Sequence, residues 1–348
     1  NGDNRILARA ADDDKGQLMT YIEAARAWLE VEGRLPINLT VLLEGEEESA
    51  SPSMVQFLTA NAEELKRDIA LVCDTSMWNR ETPAISVMLR GLVYEEVEVQ
   101  AATHDLHSGF FGSAARNPIH VLTRILADLH DENGRVTIPD FYDGVPAVTP
   151  ALKAQWESLA FDQKAFLGDI GLSIPAGEKG YSALEQVWAR PTAEVNGIVG
   201  GYTGAGAKTV IPAKASAKVS FRLVGDQDPD AIRRNFRTFV EARLPADCKA
   251  SFLNHGGDRA IVQPSDSSWV KKAKQALSDE WGREAVLIAM GGSIPIVAQF
   301  ERILGMDSLL IGFGLEDDRI HSPNEKYNLT CFHRGTRSWA RVLAAIAE

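Results

Sequence analysis

Hydrophobic positions recur at two different spacings in the first ninety residues. After Gly16, apolar residues three and four positions apart predict an amphipathic helix. Alternating apolar residues at positions 37–43 predict a strand, and a second helix is expected after Ser51 and Pro52. A short apolar run at 69–73 predicts another strand, ending at Asp74. Alternating helices and strands are typical of an α/β domain.

The pattern changes near residue 92. A long alternating strand, a helix at 118–129, a strand at 219–223 and a helix at 229–244 predict an α+β domain, with little periodicity at 140–195. The α/β pattern returns with a helix at 269–277, a strand at 309–313 and a final helix at 330–347. We therefore predict an α/β domain at 1–90 and 257–348 that is interrupted by a second domain at 91–256.

The composition argues against several classes of function and of binding partner. The 348 residues carry 36 Lys and Arg against 48 Asp and Glu, a formal net charge of −12, and no long basic run. This charge argues against nucleic acid or an anionic membrane as the main partner. No apolar stretch approaches the roughly 18 residues that cross a bilayer, and we expect a cytoplasmic protein. The three cysteines fit neither a disulfide framework nor a four-thiolate zinc site.

Acidic residues and one histidine follow the predicted strands or precede a helix. Asp13 lies in an acidic run before the first helix, Glu47 and Glu48 end the acidic run after 37–43, and Asp74 and His321 follow apolar strands. Taken singly, each residue is also compatible with a solvated helix cap, strand end, turn or surface loop. Together they form an oxygen and nitrogen ligand set that suits zinc or manganese, with Glu47 placed to take a proton from water.

Several motifs occur in an order that resembles a known family. They are Asp13-Asp14-Lys15-Gly16, Glu44-Gly45-Glu46-Glu47-Glu48-Ser49, Asp74 with Trp78, Asp105-Leu106-His107-Ser108-Gly109, Lys208-Thr209-Val210-Ile211-Pro212, Gly291-Gly292-Ser293-Ile294-Pro295 and His321-Ser322-Pro323-Asn324-Glu325. The sequence resembles the co-catalytic metallopeptidases that include aminoacylase, carboxypeptidase G and succinyl-diaminopimelate desuccinylase. It is most similar to the carnosinase and cytosolic non-specific dipeptidase branch. The resemblance implies a catalytic domain with a mixed sheet and flanking helices, and an inserted lid and dimerisation domain.

The resemblance also implies a role for each matching residue. Asp13, followed by a cis peptide bond to Asp14, would bridge two divalent ions, most simply zinc, with manganese as the alternative. Glu48 and His321 would complete one ion's ligands and Asp74 would bind the other. Glu47 would be the general base that activates the bridging water.

The remaining implied roles concern the substrate. His107 would stabilise the oxyanion, and in a homodimer His107 and Thr209 would act on the partner's active site. Arg222 would bind the substrate's C-terminal carboxylate, which a guanidinium fork suits, although its position in an alternating strand also fits a solvent-facing residue. His255 and Ser293 would be further substrate contacts.

Two positions depart from the family pattern. The second metal site needs a histidine from an upstream His-x-Asp motif, and no histidine precedes Asp13 here. We therefore expect that site to be incomplete in this chain because an N-terminal part of the catalytic domain is missing. Met290 stands where the branch usually has a glutamate that receives the substrate's amino group, and a thioether cannot pair with an ammonium.

Three hypotheses follow. The first is a binuclear metallohydrolase that cleaves the amide bond of small dipeptide-like substrates with a free C-terminal carboxylate. The second, favoured by Met290, is an N-acyl amino acid deacylase with the same chemistry. The third, favoured by the absent histidine ligand, is a non-catalytic dimeric binding protein.

Overall fold

The computed structural model describes residues 4–49 and 51–347. These residues form two compact units. The first unit takes its residues from the ranges 1–88, 262–289 and 294–348. The second unit comprises residues 89–261 together with the short segment 290–293.

The strands, numbered along the chain, have the following bounds. They are β1 (Arg5–Leu7), β2 (Ile69–Val72), β3 (Ala84–Leu89), β4 (Gly91–Gln100), β5 (Leu106–His107), β6 (Thr192–Gly200), β7 (Val210–Ile211), β8 (Lys214–Leu223), β9 (Lys249–Asp258), β10 (Ile261–Val262), β11 (Val286–Met290), β12 (Asp307–Leu310) and β13 (Lys326–Asn328).

The helices are numbered in the same way. They are α1 (Lys15–Glu32), α2 (Met54–Ala60), α3 (Ala62–Leu65), α4 (Ser108–Phe111), α5 (Pro118–Ala127), α6 (Pro150–Ser158), α7 (Gln163–Asp169), α8 (Ala183–Trp188), α9 (Pro229–Glu241), α10 (Ser268–Trp281), α11 (Pro295–Gln299) and α12 (Leu329–Ala347). Single helical turns at Glu47–Ser49 and Glu316–Asp318 carry acidic residues. No helix in 4–49 or 51–347 combines the length and apolar character that crossing a membrane requires.

The first unit is built on a mixed sheet. Strand β12 pairs in parallel with β2 on one side and antiparallel with β3 on the other, and β11 pairs with β3. Helices α1, α10 and α12 supply the apolar residues that bury this sheet. Tyr21 of α1 stacks on Trp339 of α12 at 4.0 Å between ring centroids. The mixed sheet with flanking helices confirms the predicted α/β fold.

The second unit is an antiparallel sheet in the order β6-β8-β4-β9. Side chains of β4 and β8 alternate between buried and partly exposed, and the buried set packs with α5 and α9. This alternation is that of a sheet with one face covered by helices. Arg222 therefore belongs to the partly exposed set of β8, with its neighbours Phe221 and Leu223 buried.

One predicted strand is wrong. Residues 37–43 alternate as a strand does, but the structure gives them no strand. The pattern describes only which side of an extended segment is apolar, whereas a strand also needs a neighbour that accepts and donates its backbone hydrogen bonds. Val41 and Leu43 are accordingly exposed. The segment 140–195, whose sequence shows little periodicity, contains α6, α7 and α8.

Candidate metal centre and substrate-binding residues

Asp13, Glu48 and His321 bring three donor atoms together in the first unit. The His321 Nε2 atom lies 2.9 Å from Asp13 Oδ2 and 2.9 Å from Glu48 Oε1. One ligand atom from each residue lies within 4.8 Å of the others. Asp13 precedes α1, Glu48 lies in the helical turn Glu47–Ser49, and His321 adopts a positive φ of 56° in the loop before β13.

Glu325 holds the loop that carries Asp13. Its carboxylate accepts hydrogen bonds from the backbone N–H groups of Ala10, Asp12 and Asp13 at 2.8, 3.0 and 3.1 Å. Burial alone would raise the pKa of Glu325, but these three donors outweigh burial and lower it. Glu325 therefore stays ionised and fixes the backbone at Asp13. The peptide bond between Asp13 and Asp14 is cis, as the resemblance implies.

The carboxyl groups around this loop repel one another. Burial, followed by the charge of Asp318, raises the pKa of Asp12 to about 9. Burial and the charge of Asp74 raise the pKa of Asp14 to about 8. Burial and the charge of Asp13 raise the pKa of Asp74 to about 7. These carboxyl groups hold protons at a pH where an isolated Asp is ionised.

Glu47 lies at the edge of the same cluster. It is partly buried, and burial together with the charges of Glu48 and Asp13 raises its pKa. A carboxyl group with a raised pKa is suited to accept a proton from water and return it later. Asp74 lies close enough for the charges of Asp13 and Glu47 to raise its pKa, and for its own charge to raise the pKa of Asp14, although it is outside the three-residue donor group.

The donor chemistry of this cluster fits divalent cations. Two carboxylate oxygens and one imidazole nitrogen form a ligand set typical of zinc. The buried Oδ1 atoms of Asp12 and Asp14 have no hydrogen-bond partner among the described residues. A cation would offset both the burial and the mutual repulsion that raise the pKa values of these carboxyl groups.

The other predicted residues lie in the second unit. His107 ends β5 and pairs with Val210 of β7, and Ser108 donates its N–H to the Thr209 carbonyl at 3.0 Å. The structure thus brings His107 and Thr209 into adjacent segments. The His107 Nδ1 atom accepts the N–H of Gly109 at 3.0 Å, so in the neutral ring the proton is on Nε2.

Arg222 and Ser293 contact each other within the second unit. The Arg222 Nη1 atom donates to Ser293 Oγ at 3.2 Å. Burial lowers the pKa of Arg222. Arg90 reaches the same turn, where its Nε atom donates to the Gly291 carbonyl at 3.0 Å.

His255 lies elsewhere on the sheet of the second unit. Its Nε2 atom is 3.1 Å from the Glu96 carboxylate, and its ring lies 5.3 Å from that of Tyr94. Its present partners are thus an acid and an aromatic ring of β4.

Sequence reasoning assigned no role to Glu325 or Arg90. Glu325 belongs to a quoted motif, yet its role depends on backbone groups more than 300 positions away. Arg90 precedes a predicted strand and had no neighbour in sequence that suggested a function. In both cases the partners are backbone atoms of distant segments, and no side-chain pattern marks such partners.

Comparison with known proteins places the whole chain in one family. The family model described as peptidase family M20/M25/M40 matches residues 1–345. A Cys-Gly metallodipeptidase, dug1 of Schizosaccharomyces pombe, is 32% identical over 350 residues, which cover 99% of this chain and 73% of that protein.

Two solved structures are similar along the full chain. Human carnosine dipeptidase 1 superimposes with a TM-score of 0.80 at 27% identity, covering 100% of this chain and 75% of that one. The M20 family metallo-carboxypeptidase Sso-CP2 of Sulfolobus solfataricus gives a TM-score of 0.88 at 28% identity, covering 99% and 78%.

Proposed function

This chain belongs to peptidase family M20/M25/M40 and is a homologue of metallodipeptidases, and from that premise we propose a specific reaction for it. It hydrolyses the amide bond of a dipeptide that carries a free C-terminal carboxylate. The observation that carries the proposal is the Asp13, Glu48 and His321 donor group with Glu47 beside it.

The metal ions are proposed to be held by the acidic cluster. Asp13, Glu48 and His321 would hold one ion, and Asp74 would contribute to holding a second. We propose zinc as the ion and manganese as the alternative, because carboxylates and imidazole serve both. When bound, such ions supply Lewis-acid polarisation of the scissile carbonyl and make a water molecule more acidic.

Each protein group then has a defined task. Glu47 takes a proton from the attacking water and delivers it to the departing amine. His107 donates its Nε2–H to the developing oxyanion, since its Nδ1 atom is occupied by the Gly109 N–H. Arg222 and Ser293 bind the substrate's C-terminal carboxylate, and Thr209 and His255 contribute further contacts.

We also propose a homodimer in which His107 acts on the partner's substrate. The edge strands of the second unit support it, because β6 exposes Val195, Ile198 and Val199 and β9 exposes Leu253. Exposed apolar residues on a sheet edge favour pairing with a second chain. Light scattering coupled to size-exclusion chromatography tests this proposal, and a monomer at micromolar concentration would refute it.

Replacing Glu47 tests the reaction. We expect Glu47→Gln to lower kcat for Cys-Gly or carnosine by roughly 10²- to 10⁴-fold, because an amide cannot accept the proton. Metal content by elemental analysis should stay unchanged. Glu63→Gln, an exposed acid on α3, is the matched control and should retain full activity. Undiminished hydrolysis by Glu47→Gln would refute the proposal.

Met290 supports a second candidate, an N-acyl amino acid deacylase. Met290 ends β11 and offers only a thioether, which cannot pair with a substrate ammonium. Comparing kcat/KM for Ala-Gly and N-acetyl-Ala-Gly, with the released product identified, separates the two candidates. A strong preference for the acetylated substrate would replace dipeptide hydrolysis by deacylation, whereas no hydrolysis of either would favour a binding protein.

A further inference from the structure

Arg90 donates two hydrogen bonds to one turn of the second unit. Its backbone N–H donates to the Gly292 carbonyl at 3.1 Å, and its side-chain Nε donates to the Gly291 carbonyl at 3.0 Å. Because Ser293 follows directly, Arg90 fixes the backbone that presents Ser293 Oγ to Arg222.

Gly291 allows the Arg90 side chain to approach this closely. A Cβ atom at position 291 would lie 3.1 Å from Arg90 Nη2 and 3.1 Å from the Val187 Cγ1 atom, which is tighter than most contacts of real Cβ atoms. Gly291 therefore leaves room for the guanidinium between the turn and α8.

The guanidinium groups of Arg90 and Arg222 form no ion pair with an acid among the described residues. Burial, then the positive charge of Arg222, lowers the pKa of Arg90 to about 10, and the exposed Glu194 opposes this shift. No acid among the described residues forms an ion pair with Arg222, and burial lowers the pKa of its guanidinium. Both groups stay cationic at neutral pH.

Other buried or partly buried arginines of the same unit have acidic partners. Arg233 and Arg237 both contact the Glu95 carboxylate, and Arg190 contacts Glu178 at 2.6 Å. Partly buried cations without such a partner are costly unless an anion binds them. The pair formed by Arg90 and Arg222 is therefore suited to an anionic group of a ligand.

We propose that Arg90 is a positioning and specificity-determining residue for the substrate's C-terminal carboxylate. It orients Ser293 and Arg222 through the 291–292 turn, and its charge favours a carboxylate over a neutral amide at that subsite. This inference rests on the proposed function in one respect, the assignment of the carboxylate to Arg222.

The test compares Cys-Gly with its C-terminal amide. For Arg90→Met we expect KM for Cys-Gly to rise about tenfold, with kcat within about threefold and KM for the amide unchanged, because only the carboxylate uses the charge. Arg90→Lys keeps the charge and should restore part of this loss. Arg124→Met, which removes an exposed arginine of α5, is the control and should change neither constant.

A second variant guards against misfolding of Arg90→Met. Gly291→Ala crowds Arg90 without removing it, and we expect a smaller rise in KM for Cys-Gly, again without a rise for the amide. Equal losses for both substrates in the Arg90 variants and in Gly291→Ala would overturn the inference, because they would indicate a general structural role.

Equilibrium binding separates this inference from the proposed reaction. Calorimetric titration of Cys-Gly and its amide into Glu47→Gln, with and without Arg90→Met, does not depend on turnover. A preference for Cys-Gly that Arg90→Met abolishes would support the inference even if wild type proved inactive. Equal affinity for both peptides, or no binding of either, would overturn it even if wild type hydrolysed dipeptides.

Discussion

Two groups of acidic residues, one in each unit of the molecule, differ in how their charge is balanced. In the second unit, Glu95 on β4 is fully buried and contacts both Arg233 at 2.9 Å and Arg237 at 2.8 Å. In the first unit, the acids from Asp12 to Asp14 and at Asp74 crowd together with raised pKa values. Two arginines balance the charge of Glu95, whereas no cationic side chain among the described residues forms an ion pair with Asp12, Asp14 or Asp74.

The difference distinguishes a carboxylate that stabilises the fold, Glu95, from a cluster of carboxyl groups that is suited to bind a cation. A buried carboxylate with two guanidinium partners holds a helix on a sheet, because removing any partner leaves an uncompensated charge. Carboxyl groups that repel one another weaken the fold that holds them, so a cation that relieves the repulsion is the simplest reason for their clustering. The comparison therefore predicts opposite consequences when each region is altered.

The largest effect is expected from removing a metal donor. We expect His321→Ala to reduce activity by at least about 10³-fold and to lower the bound metal, because one of three clustered donors is lost. The free energy of unfolding measured with chelator should change by less than about 1 kcal/mol, since His321 is exposed. His120→Ala, on the exposed side of α5, is the control, and full metal content in His321→Ala would contradict the site.

Replacing Glu95 should have the opposite effect, a loss of stability without a loss of bound metal. We expect Glu95→Gln to lower the free energy of unfolding by about 3 kcal/mol, because Arg233 and Arg237 lose their buried counter-charge. Metal content of the folded fraction should be unchanged. The control is Glu98→Gln, which changes another acid of β4 and removes its partly exposed ion pair with Lys214 of β8. In urea unfolding it should lower the free energy of unfolding by at most about 1 kcal/mol. Equal losses of unfolding free energy in Glu95→Gln and Glu98→Gln would contradict the structural role of the Glu95 ion pairs.

We expect pH to have a smaller effect on the free energy of unfolding. A carboxyl group whose folded pKa exceeds its unfolded value contributes stability fully below the unfolded pKa, near 4, and loses it as pH rises through the folded pKa. Asp74 at about 7 and Asp14 at about 8 meet this condition. Urea unfolding with chelator should therefore show stability falling from about pH 4 to 8.

Added zinc should reduce that pH dependence, because a bound cation favours the ionised carboxylates. Stability of the chelated protein that rises with pH over this range would contradict the interpretation of the acidic cluster as unbalanced.

The comparison with known proteins confirms the family that the motifs indicated and the metallopeptidase class that followed from it. The longer elements α1, β4, α9 and α12 were also predictable, because the periodicity near each of them reflects one buried face. The prediction at 37–43 failed because apolar alternation does not supply a hydrogen-bonding neighbour. The incomplete second metal site, the missing N-terminal part, the homodimer and the cytoplasmic location stay predictions.

The sequence by itself determined which chemical groups are available: acids before a helix and after strands, one histidine in a late loop, and an arginine in an alternating strand. The identity of these groups and their order along the chain can be read from the sequence without knowledge of the fold. Tertiary structure alone decided which of them meet. The approach of His321 to Asp13, the Glu325 hydrogen bonds to the Asp12 backbone, and the clamp of Arg90 on the 291–292 turn join segments hundreds of residues apart. Only the packed fold brings such segments within the few ångströms over which hydrogen bonds and charges act.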